Sequence, residues 1–161
     1  MKKWLSKAQE AFVTSGLAIV VSSANDRLVP SSCNAMACDL NRNESSIRVF
    51  LPRNQLGELL RDVEKKGVLA VAFSDPLTHK TIQIKATDAR LSELREGDLN
   101  VLLEARKRFD EKLLSLGVCE NYTSALFDLN PDGIAVISFS PHALFEQSPG
   151  PDAGKALEFQ S

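Results

Sequence analysis

Short apolar and β-branched runs divide the chain into segments that predict β-strands. The runs stop at residues that favour turns, such as Asn25-Asp26 and the sequence NPDG at residues 130–133. The predicted strands cover residues 17–24, 27–38, 47–51, 68–74, 80–91 and 134–145. Because several of them follow one another with only a turn between, the pattern favours hairpins and an antiparallel sheet.

The strand predicted at residues 80–91 alternates between apolar and polar side chains. This alternation sends Ile82, Ile84 and Ala86 to one face, which we expect in the core. The other face carries three polar residues: Thr81, Gln83 and Lys85. Three polar groups therefore converge on one side of this strand, either as a binding surface or as the solvated side of a half-exposed sheet.

Apolar residues recur every three or four positions in other segments, which predicts helices there. The predicted helices cover residues 4–14, 54–67 and 98–117, and a short helical turn is expected at 121–127. Asn54 is expected to cap the second helix, because its side chain can accept a hydrogen bond from the first turn. Glycines stand where the three helices are expected to end: Gly16, Gly67 and Gly117.

The order of these elements predicts a mainly β fold with helices (α+β). Helices do not alternate strictly with strands, so an antiparallel barrel with helices packed outside fits better than a parallel nucleotide-binding sheet. We expect a single domain over residues 1–161, with a helical insertion at about 98–127. The tail at 147–161 begins with QSPGPDAGK, where Pro and Gly fix one backbone angle and free the next. We expect an ordered tail, and the alternative is a frayed terminus.

Composition limits the partners of the chain. Its 161 residues are 43% hydrophobic, which suffices for the core of one domain. The net charge of −2 at pH 7 gives no long-range attraction for nucleic acid or for an anionic membrane surface. The basic start MKKWL is soon interrupted by charged residues, and the apolar run at 17–21 is too short to span a bilayer. We therefore expect no nucleic-acid partner, no membrane segment and a cytoplasmic location.

Several kinds of catalytic or metal site lack their residues. The three cysteines are an odd number and include no C-x-x-C pair, so we expect reduced thiols and no zinc site. His79 and His142 have no metal-ligand neighbours at the usual spacing. The sequence GPDAGKA at residues 150–156 has too few residues between its glycines for a phosphate-binding loop. No G-x-S-x-G motif for a nucleophilic serine is present.

Four motifs, in this order, resemble one known family. They are VFLPRNQ at residues 49–55, followed by a leucine-rich helix, LAVAFSDP at 69–76, TIQIK at 81–85 and FEQSPGPDAG at 145–154. Together they resemble the pyridoxamine 5′-phosphate oxidase-related, FMN-binding split-barrel family, and the likeness covers nearly the whole chain. The resemblance implies a six-stranded antiparallel split β-barrel of the FMN-binding type. It also implies a homodimer with the cofactor in a groove at the subunit interface.

The resemblance, together with the needs of an FMN site, points to a set of candidate cofactor-binding residues. A phosphate dianion requires backbone N–H groups at a helix start and a cation, and Arg53 is expected at such a start. Members of the family usually have Ser-Arg-Lys-like residues there, so one cation is missing here and Lys85 is expected to replace it. The candidate residues are Ser32, Asn34, Arg53, Asn54, Gln55, Thr81, Gln83, Lys85 and Gln147. Ordinary alternatives are an exposed Arg53, and a polar strand edge at residues 31–34.

Two functional classes follow from the resemblance. In the first, the chain is an FMN-dependent oxidoreductase that acts on a small-molecule substrate, and the protein supplies binding and orientation while the flavin carries out the redox step. In the second, the chain binds a flavin, a deazaflavin or haem without turnover. We expect no oxidation of vitamin B6, because the basic and aromatic residues that clamp its phosphate have no match. Tyr122 is the single tyrosine of the chain.

Overall fold

The computed structural model describes residues 3–120 and 122–160, which form a mixed α+β fold. The strands are β1 (Ala18–Ala24), β2 (Pro30–Ala35), β3 (Ala37–Asn41), β4 (Ser46–Pro52), β5 (Leu69–Ser74), β6 (Thr81–Ala86), β7 (Arg90–Ser92), β8 (Ile134–Phe139), β9 (Ala143–Glu146) and β10 (Ala156–Leu157). The helices are α1 (Lys7–Val13), α2 (Leu59–Lys66), α3 (Asp98–Ser115) and α4 (Tyr122–Leu126). Two 3-10 turns cover Arg53–Gln55 and Pro131–Gly133.

The strands form two antiparallel sheets instead of one closed barrel of six strands. The six-stranded sheet has the order β10-β9-β6-β5-β1-β2, and the four-stranded sheet has the order β3-β4-β8-β7. Three segments that the sequence predicted as single strands are each divided between the two sheets: β2 with β3, β6 with β7, and β8 with β9. Between β8 and β9 the break lies at Pro141, which has no N–H group to continue a ladder.

The main core fills the space enclosed by the two sheets and α2. It includes Val21, Phe73, Ile84 and Ile137, which are fully buried. The alternation predicted for β6 is confirmed, because Ile82, Ile84 and Ala86 are buried whereas Thr81, Gln83 and Lys85 are not. All six residues of β8 are buried. Two-sided burial explains why β8 shows an apolar run without alternation.

The predicted starts of the first two helices are wrong. Ser6 caps α1 in a capping box with Gln9, and Trp4 lies before the helix in an isolated bridge with Gln160. The second helix begins at Leu59 instead of near Asn54, although it ends at Gly67 as predicted. The predicted helix at 98–117 agrees with α3. Of the helical turn predicted at 121–127, α4 covers Tyr122–Leu126, and Asn121 lies outside the described residues.

A buried ion pair joins the start of α3 to the four-stranded sheet. Arg48 on β4 donates from Nη1 and Nη2 to the two carboxylate oxygens of Asp98, each at 2.7 Å. Nη2 also donates to the carbonyl oxygen of Glu93 at 2.8 Å. The two residues are 2% and 4% exposed, respectively. This pair fixes the position at which α3 leaves the sheet.

The C-terminal segment returns to its own chain. Residues 147–155 form a hairpin in which the N–H of Gly154 donates to the carbonyl oxygen of Glu146 at 2.7 Å. β10 then pairs with β9, and the N–H of Gln160 donates to the carbonyl oxygen of Trp4 at 2.9 Å. Within the described residues, no helix combines the length and the apolar character needed to cross a bilayer.

Candidate functional site

Five of the nine predicted cofactor-binding residues lie on the outward face of the six-stranded sheet. One row of paired residues crosses five strands of this face: Asn34, Val20, Ala72, Gln83 and Phe145. The next row contains Ser32, Ser22, Ala70, Lys85 and Ala143. We call this surface the sheet face, and Thr81 continues it at the start of β6. The five predicted residues on it are Ser32, Asn34, Thr81, Gln83 and Lys85.

The centre of the sheet face is flat because its side chains are small. The four positions between the polar residues of β2 and those of β6 are two alanines, one serine and Val20. Asn34 and Gln83 are three strands apart, which corresponds to roughly 14 Å at the usual strand spacing. Asn34 and Lys85 are exposed, and Gln83 is half-buried. The centre of the sheet face is therefore a flat, mainly apolar surface, with the Asn34 amide on one side of it and the Gln83 amide on the other.

Lys85 supplies a positive charge to this surface. Its Nζ lies 4.9 Å from the centroid of the Phe145 ring on the neighbouring strand. The backbone oxygen of Lys85 accepts a hydrogen bond from the N–H of His142 at 2.8 Å, which ties β6 to the start of β9. Lys85 forms no ion pair with any described residue. An exposed, unpaired ammonium group is available to an anionic ligand.

Thr81 and Gln147 lie together at one end of the sheet face. The N–H of Gln147 donates to the carbonyl oxygen of Thr81 at 2.8 Å, and the N–H of Thr81 donates to the Ser148 hydroxyl at 2.9 Å. The Thr81 hydroxyl donates to the Ser74 hydroxyl at 2.9 Å. The sequence predicted a site that includes Gln147, and the structure places it beside Thr81 through these bonds.

Arg53, Asn54 and Gln55 lie elsewhere, in the 3-10 turn that follows β4 of the other sheet. The guanidinium group of Arg53 donates from Nη2 to the carbonyl oxygen of Ile134 at 3.1 Å. The expected phosphate cradle at a helix start is absent there, because α2 begins only at Leu59. Gly57, with φ of 52°, separates the 3-10 turn from α2.

A cavity of about 170 Å³ opens at one end of the sheet face, between β1, β2 and the helical insertion. Its lining consists of Leu17, Ala18, Ile19, Asn34, Ala35, Met36, Phe109, Tyr122, Leu126 and Phe127. Asn34 therefore belongs both to the cavity and to the sheet face. The Gln55 amide donates to the carbonyl oxygen of Leu126 at 3.0 Å, which brings Gln55 to the border of the cavity. Sequence analysis did not identify the aromatic part of this lining, because only the packing of α3 and α4 brings it to β2.

The two buried thiols are poor candidates for a nucleophile, and the described acidic groups form no metal site. Burial raises the pKa of Cys33 to about 11. Burial, with a smaller contribution from Asp39, raises the pKa of Cys38 to about 12. Both are therefore protonated at neutral pH and poor nucleophiles. Among the described residues, no group of three or more His, Cys, Asp or Glu side chains could hold a metal ion.

The sheet face fits part of an FMN group. Its small side chains leave room for a planar ring, its amides can bond to the ring edge, and Lys85 can neutralise an anionic end. The cavity of about 170 Å³ is smaller than the roughly 300–1,000 Å³ of ordinary ligand sites. A flavin on the sheet face of one chain would therefore keep one side uncovered.

Comparison with known proteins gives a fold but no sequence relative. No protein-family model and no curated protein matches the sequence. A solved protein described as a candidate pyridoxamine 5′-phosphate oxidase, from Lactobacillus delbrueckii, is 15% identical with a TM-score of 0.53, over 90% of this chain and 99% of that chain. An F420 reductase is 11% identical with a TM-score of 0.53, over 87% of this chain and 98% of that chain. The haem-storage protein HutZ from Vibrio cholerae is 12% identical with a TM-score of 0.50, over 89% of this chain and 94% of that chain.

These similarities span almost the full length of both chains in each case, at identities that carry information about the fold alone. The motifs of the sequence and the arrangement of the two sheets indicate the same fold. The chain has the pyridoxamine 5′-phosphate oxidase-like fold.

Proposed function

We propose that the sheet face binds FMN and that the chain is an FMN-dependent oxidoreductase acting on a small-molecule substrate. One observation carries this proposal. Five residues that were selected from the sequence, on two separate segments of the chain, lie on one flat face, and one of them, Lys85, has no ion-pair partner among the described residues. When bound, the flavin would supply the transfer of a hydride or of electrons.

Each residue has a separate role in this proposal. Lys85 pairs with the anionic phosphate, and Gln83 and Thr81 bond to the polar chain next to it. Ser32 and Asn34, on the other side of the flat centre of the sheet face, form hydrogen bonds with the edge of the flavin ring. Gln147 contributes from the end where the C-terminal hairpin begins. Arg53 contributes a second cation only if a partner subunit or a ligand brings the 3-10 turn close to the site.

A second copy of the chain would complete the site. No described element of one chain covers the sheet face, and a homodimer that packs over it would exclude water from the flavin. The resemblance to split-barrel proteins suggests this assembly, with the cofactor at the subunit interface.

The cavity would then hold the substrate. Its lining contains no charged residue, so it suits the uncharged, apolar or aromatic part of a small molecule. A phosphorylated substrate such as pyridoxamine phosphate would find no cation there, which agrees with the expectation that vitamin B6 oxidation is not the activity.

Flavin titration tests the proposal directly. Purified protein is incubated with FMN, freed of excess cofactor, and examined for the visible absorbance of oxidised flavin, and the Kd is measured by fluorescence. Lys85→Gln should weaken FMN binding about tenfold, because a charge-assisted contact to the phosphate is lost. Lys7→Gln, at an exposed lysine of α1, is the matched control and should leave the Kd unchanged. A wild-type protein that retains no FMN would contradict the proposal.

Reduction of the bound flavin distinguishes an oxidoreductase from a protein that only binds the cofactor. If the protein is an oxidoreductase, NADH, NADPH or another reduced donor should bleach the bound flavin, and an acceptor should restore the colour. A flavin that is bound but never reduced would leave the alternative of a binding module.

Haem or a deazaflavin such as F420 is the second candidate ligand. The similarity of fold to a haem-storage protein and to an F420 reductase favours it, and both groups have flat conjugated rings. Titration with haem, followed by its Soret band, distinguishes this case from FMN. Lys85→Gln and its Lys7→Gln control apply equally, since haem also has an anionic edge.

A further inference from the structure

The exposed side of α3 carries leucines on both sides of a cluster of opposite charges. Leu103 is 53% exposed and Leu114 is 44% exposed, although both lie on a long helix. Of the seven charged residues between them, four line the same groove: Arg106, Lys107, Asp110 and Glu111. These six side chains, together with Glu120 after the end of α3, line an open groove of about 380 Å³. Leu102, about 100° around the helix from Leu103, is buried.

The helix geometry places these residues on one stripe. At 3.6 residues per turn, positions seven and eleven places after Leu103 return to nearly the same side, so Asp110 and Leu114 follow it along the helix. Lys107 and Glu111 lie on one flank of this stripe and Arg106 lies on the other. We call this surface the α3 stripe.

The sequence of the α3 stripe is complementary to itself when it is reversed. Around a centre midway between residues 108 and 109, Leu103 has the same height along the helix as Leu114 of a reversed copy. A two-fold axis at this centre sets each flank of the stripe against the same flank of the copy. It therefore brings Lys107 to Glu111 on one flank and Arg106 to Asp110 toward the other, and these contacts between opposite charges are what a closed two-subunit interface requires.

We propose that the α3 stripe is a self-association surface on which a second copy of this chain places its own α3 in the antiparallel direction. Leu103 of each copy packs on Leu114 of the other. Lys107 of each copy faces Glu111 of the other, and Arg106 of each copy faces Asp110 of the other, giving four ion pairs around the axis. A parallel arrangement would instead oppose Lys107 to Arg106 and Glu111 to Asp110, which repel each other.

The existing contacts of these residues leave the second copy room to bind. Lys107 and Glu111 form no ion pair within the described part of the chain. Asp110 is oriented by Thr123, whose hydroxyl donates to Oδ1 at 2.5 Å, and by Arg106, whose Nε lies 3.7 Å from Oδ2. These bonds hold two of the four charges in place before association, which lowers the entropy cost of pairing.

This surface is separate from the sheet face. α3 packs against β3 of the four-stranded sheet, whereas the sheet face belongs to the six-stranded sheet. The stripe from residue 103 to 114 is about 17 Å long, so the interface is smaller than a standard one and its Kd should lie in the micromolar range or weaker. If the sheet face also forms a dimer, the two contacts together would give a closed tetramer when their two-fold axes intersect at right angles, and a longer chain of subunits otherwise.

Charge reversal tests the surface and its register. Sedimentation or light scattering on the full chain at high concentration and low salt should show the mass rising twofold with concentration. Glu111→Lys should weaken this association roughly tenfold or more, because it places two like-charge contacts across the axis. Lys107→Glu should do the same. Glu64→Lys makes the same charge change on the exposed side of α2 and should have no effect.

The mixture of the two variants is the decisive measurement. When Glu111→Lys and Lys107→Glu chains are combined, each mixed pair regains opposite charges at both positions, so association should return to near the wild-type strength. A wild-type mass that does not change with concentration overturns the proposal, as does association that both variants leave intact. Variants that dissociate alone but fail to recombine overturn the antiparallel register. Circular dichroism confirms that each variant keeps its fold.

Discussion

Arg48 and Asp98 illustrate, at the scale of single residues, how a buried charge pair sets the pH dependence of stability. Burial alone would raise the pKa of Asp98. The hydrogen bonds from Arg48 and from the N–H of Arg95 lower this pKa, and together they outweigh burial, so the net pKa lies below its ordinary value of 3.8. Because the folded-state pKa is depressed, the pair stabilises the protein above the unfolded-state pKa. This contribution is lost as the pH falls below about 4, toward the folded-state pKa.

Asp98→Asn should therefore destabilise the protein by about 3–5 kcal/mol at pH 7, because it leaves the buried Arg48 guanidinium with only the partly exposed Asp39 carboxylate, 3.7 Å from its Nη1. Urea unfolding of both proteins at several pH values measures the effect. The difference in the free energy of unfolding between wild type and variant should shrink below about pH 4. A difference that is constant from pH 7 to pH 3 would show that the carboxylate charge is not the stabilising feature.

Gly16 is a second residue whose role follows from geometry. Its φ is +80°, and a Cβ atom there would lie 2.6 Å from Cβ of Arg108 and 2.7 Å from the backbone nitrogen of Phe109. Gly117 has a similar φ of +82° but nothing within 4 Å of such a Cβ. The pair therefore separates the cost of the backbone conformation from the cost of the close helix contact.

Gly16→Ala should cost about 2–5 kcal/mol of stability, from a strained left-handed alanine and from the separation of α3 from the turn before β1. Gly117→Ala should cost only about 1–2 kcal/mol, from the conformation alone. Thermal unfolding of the two variants measures both values. Equal losses would mean that α3 moves away from Gly16 without cost, and the cavity that Phe109 lines would then be adaptable.

At the scale of elements, the sequence was sufficient to predict features that depend on local pattern, such as the buried face of a strand. It was not sufficient to predict features that depend on pairing with the second sheet. The alternation of β6 was sufficient to assign its core face, because each side chain of a strand faces one side or the other. The division of residues 80–91 into β6 and β7 could not be predicted, because the bend at 87–89 serves to bring β7 to β8. The same limit applies to Asn54, which has the right residue type for a cap but lies in a 3-10 turn.

The candidate site was also predictable only in part from local pattern. Thr81, Gln83 and Lys85 could be grouped from β6 alone, whereas their alignment with Asn34 depends on the order of β6, β5, β1 and β2 in the sheet. No local signal gives that order. The aromatic lining of the cavity was missed for the same reason, since it comes from a helical insertion far along the chain.

The C-terminal hairpin is the element whose removal best separates stability from binding. Truncation after Lys155 removes β10 together with Leu157 and Phe159, which pack on the core, and should cost roughly 2–4 kcal/mol. Truncation after Glu146 also removes Gln147 and the Ser148 hydroxyl that holds Thr81. We expect both truncations to lower the unfolding temperature, but only the second to lower FMN retention markedly. Flavin content that is equal in the two truncated proteins would remove the hairpin from the site.

At the scale of the whole molecule, the sheet face is a large surface that no described helix covers at its centre. The two sheets enclose the main core, and the sheet face lies outside it with small side chains at its centre. Val20, in the middle of this face, is 38% exposed. If a second copy covers the face and traps the flavin, dimerisation and flavin binding stabilise each other, since each process favours the other by the same free energy.

This linkage makes flavin affinity depend on protein concentration. Dilution of the FMN-loaded protein below its dimer Kd should release flavin and monomer together, and excess FMN should shift the dissociation of the dimer to lower protein concentration. Fluorescence of released FMN and sedimentation of the same samples give the two curves. The Glu111→Lys variant is used in parallel, so that weakening of the α3 contact is not mistaken for loss of the flavin-binding dimer. If flavin stays bound to a monomer, one chain suffices for the site and the cover must come from its own residues.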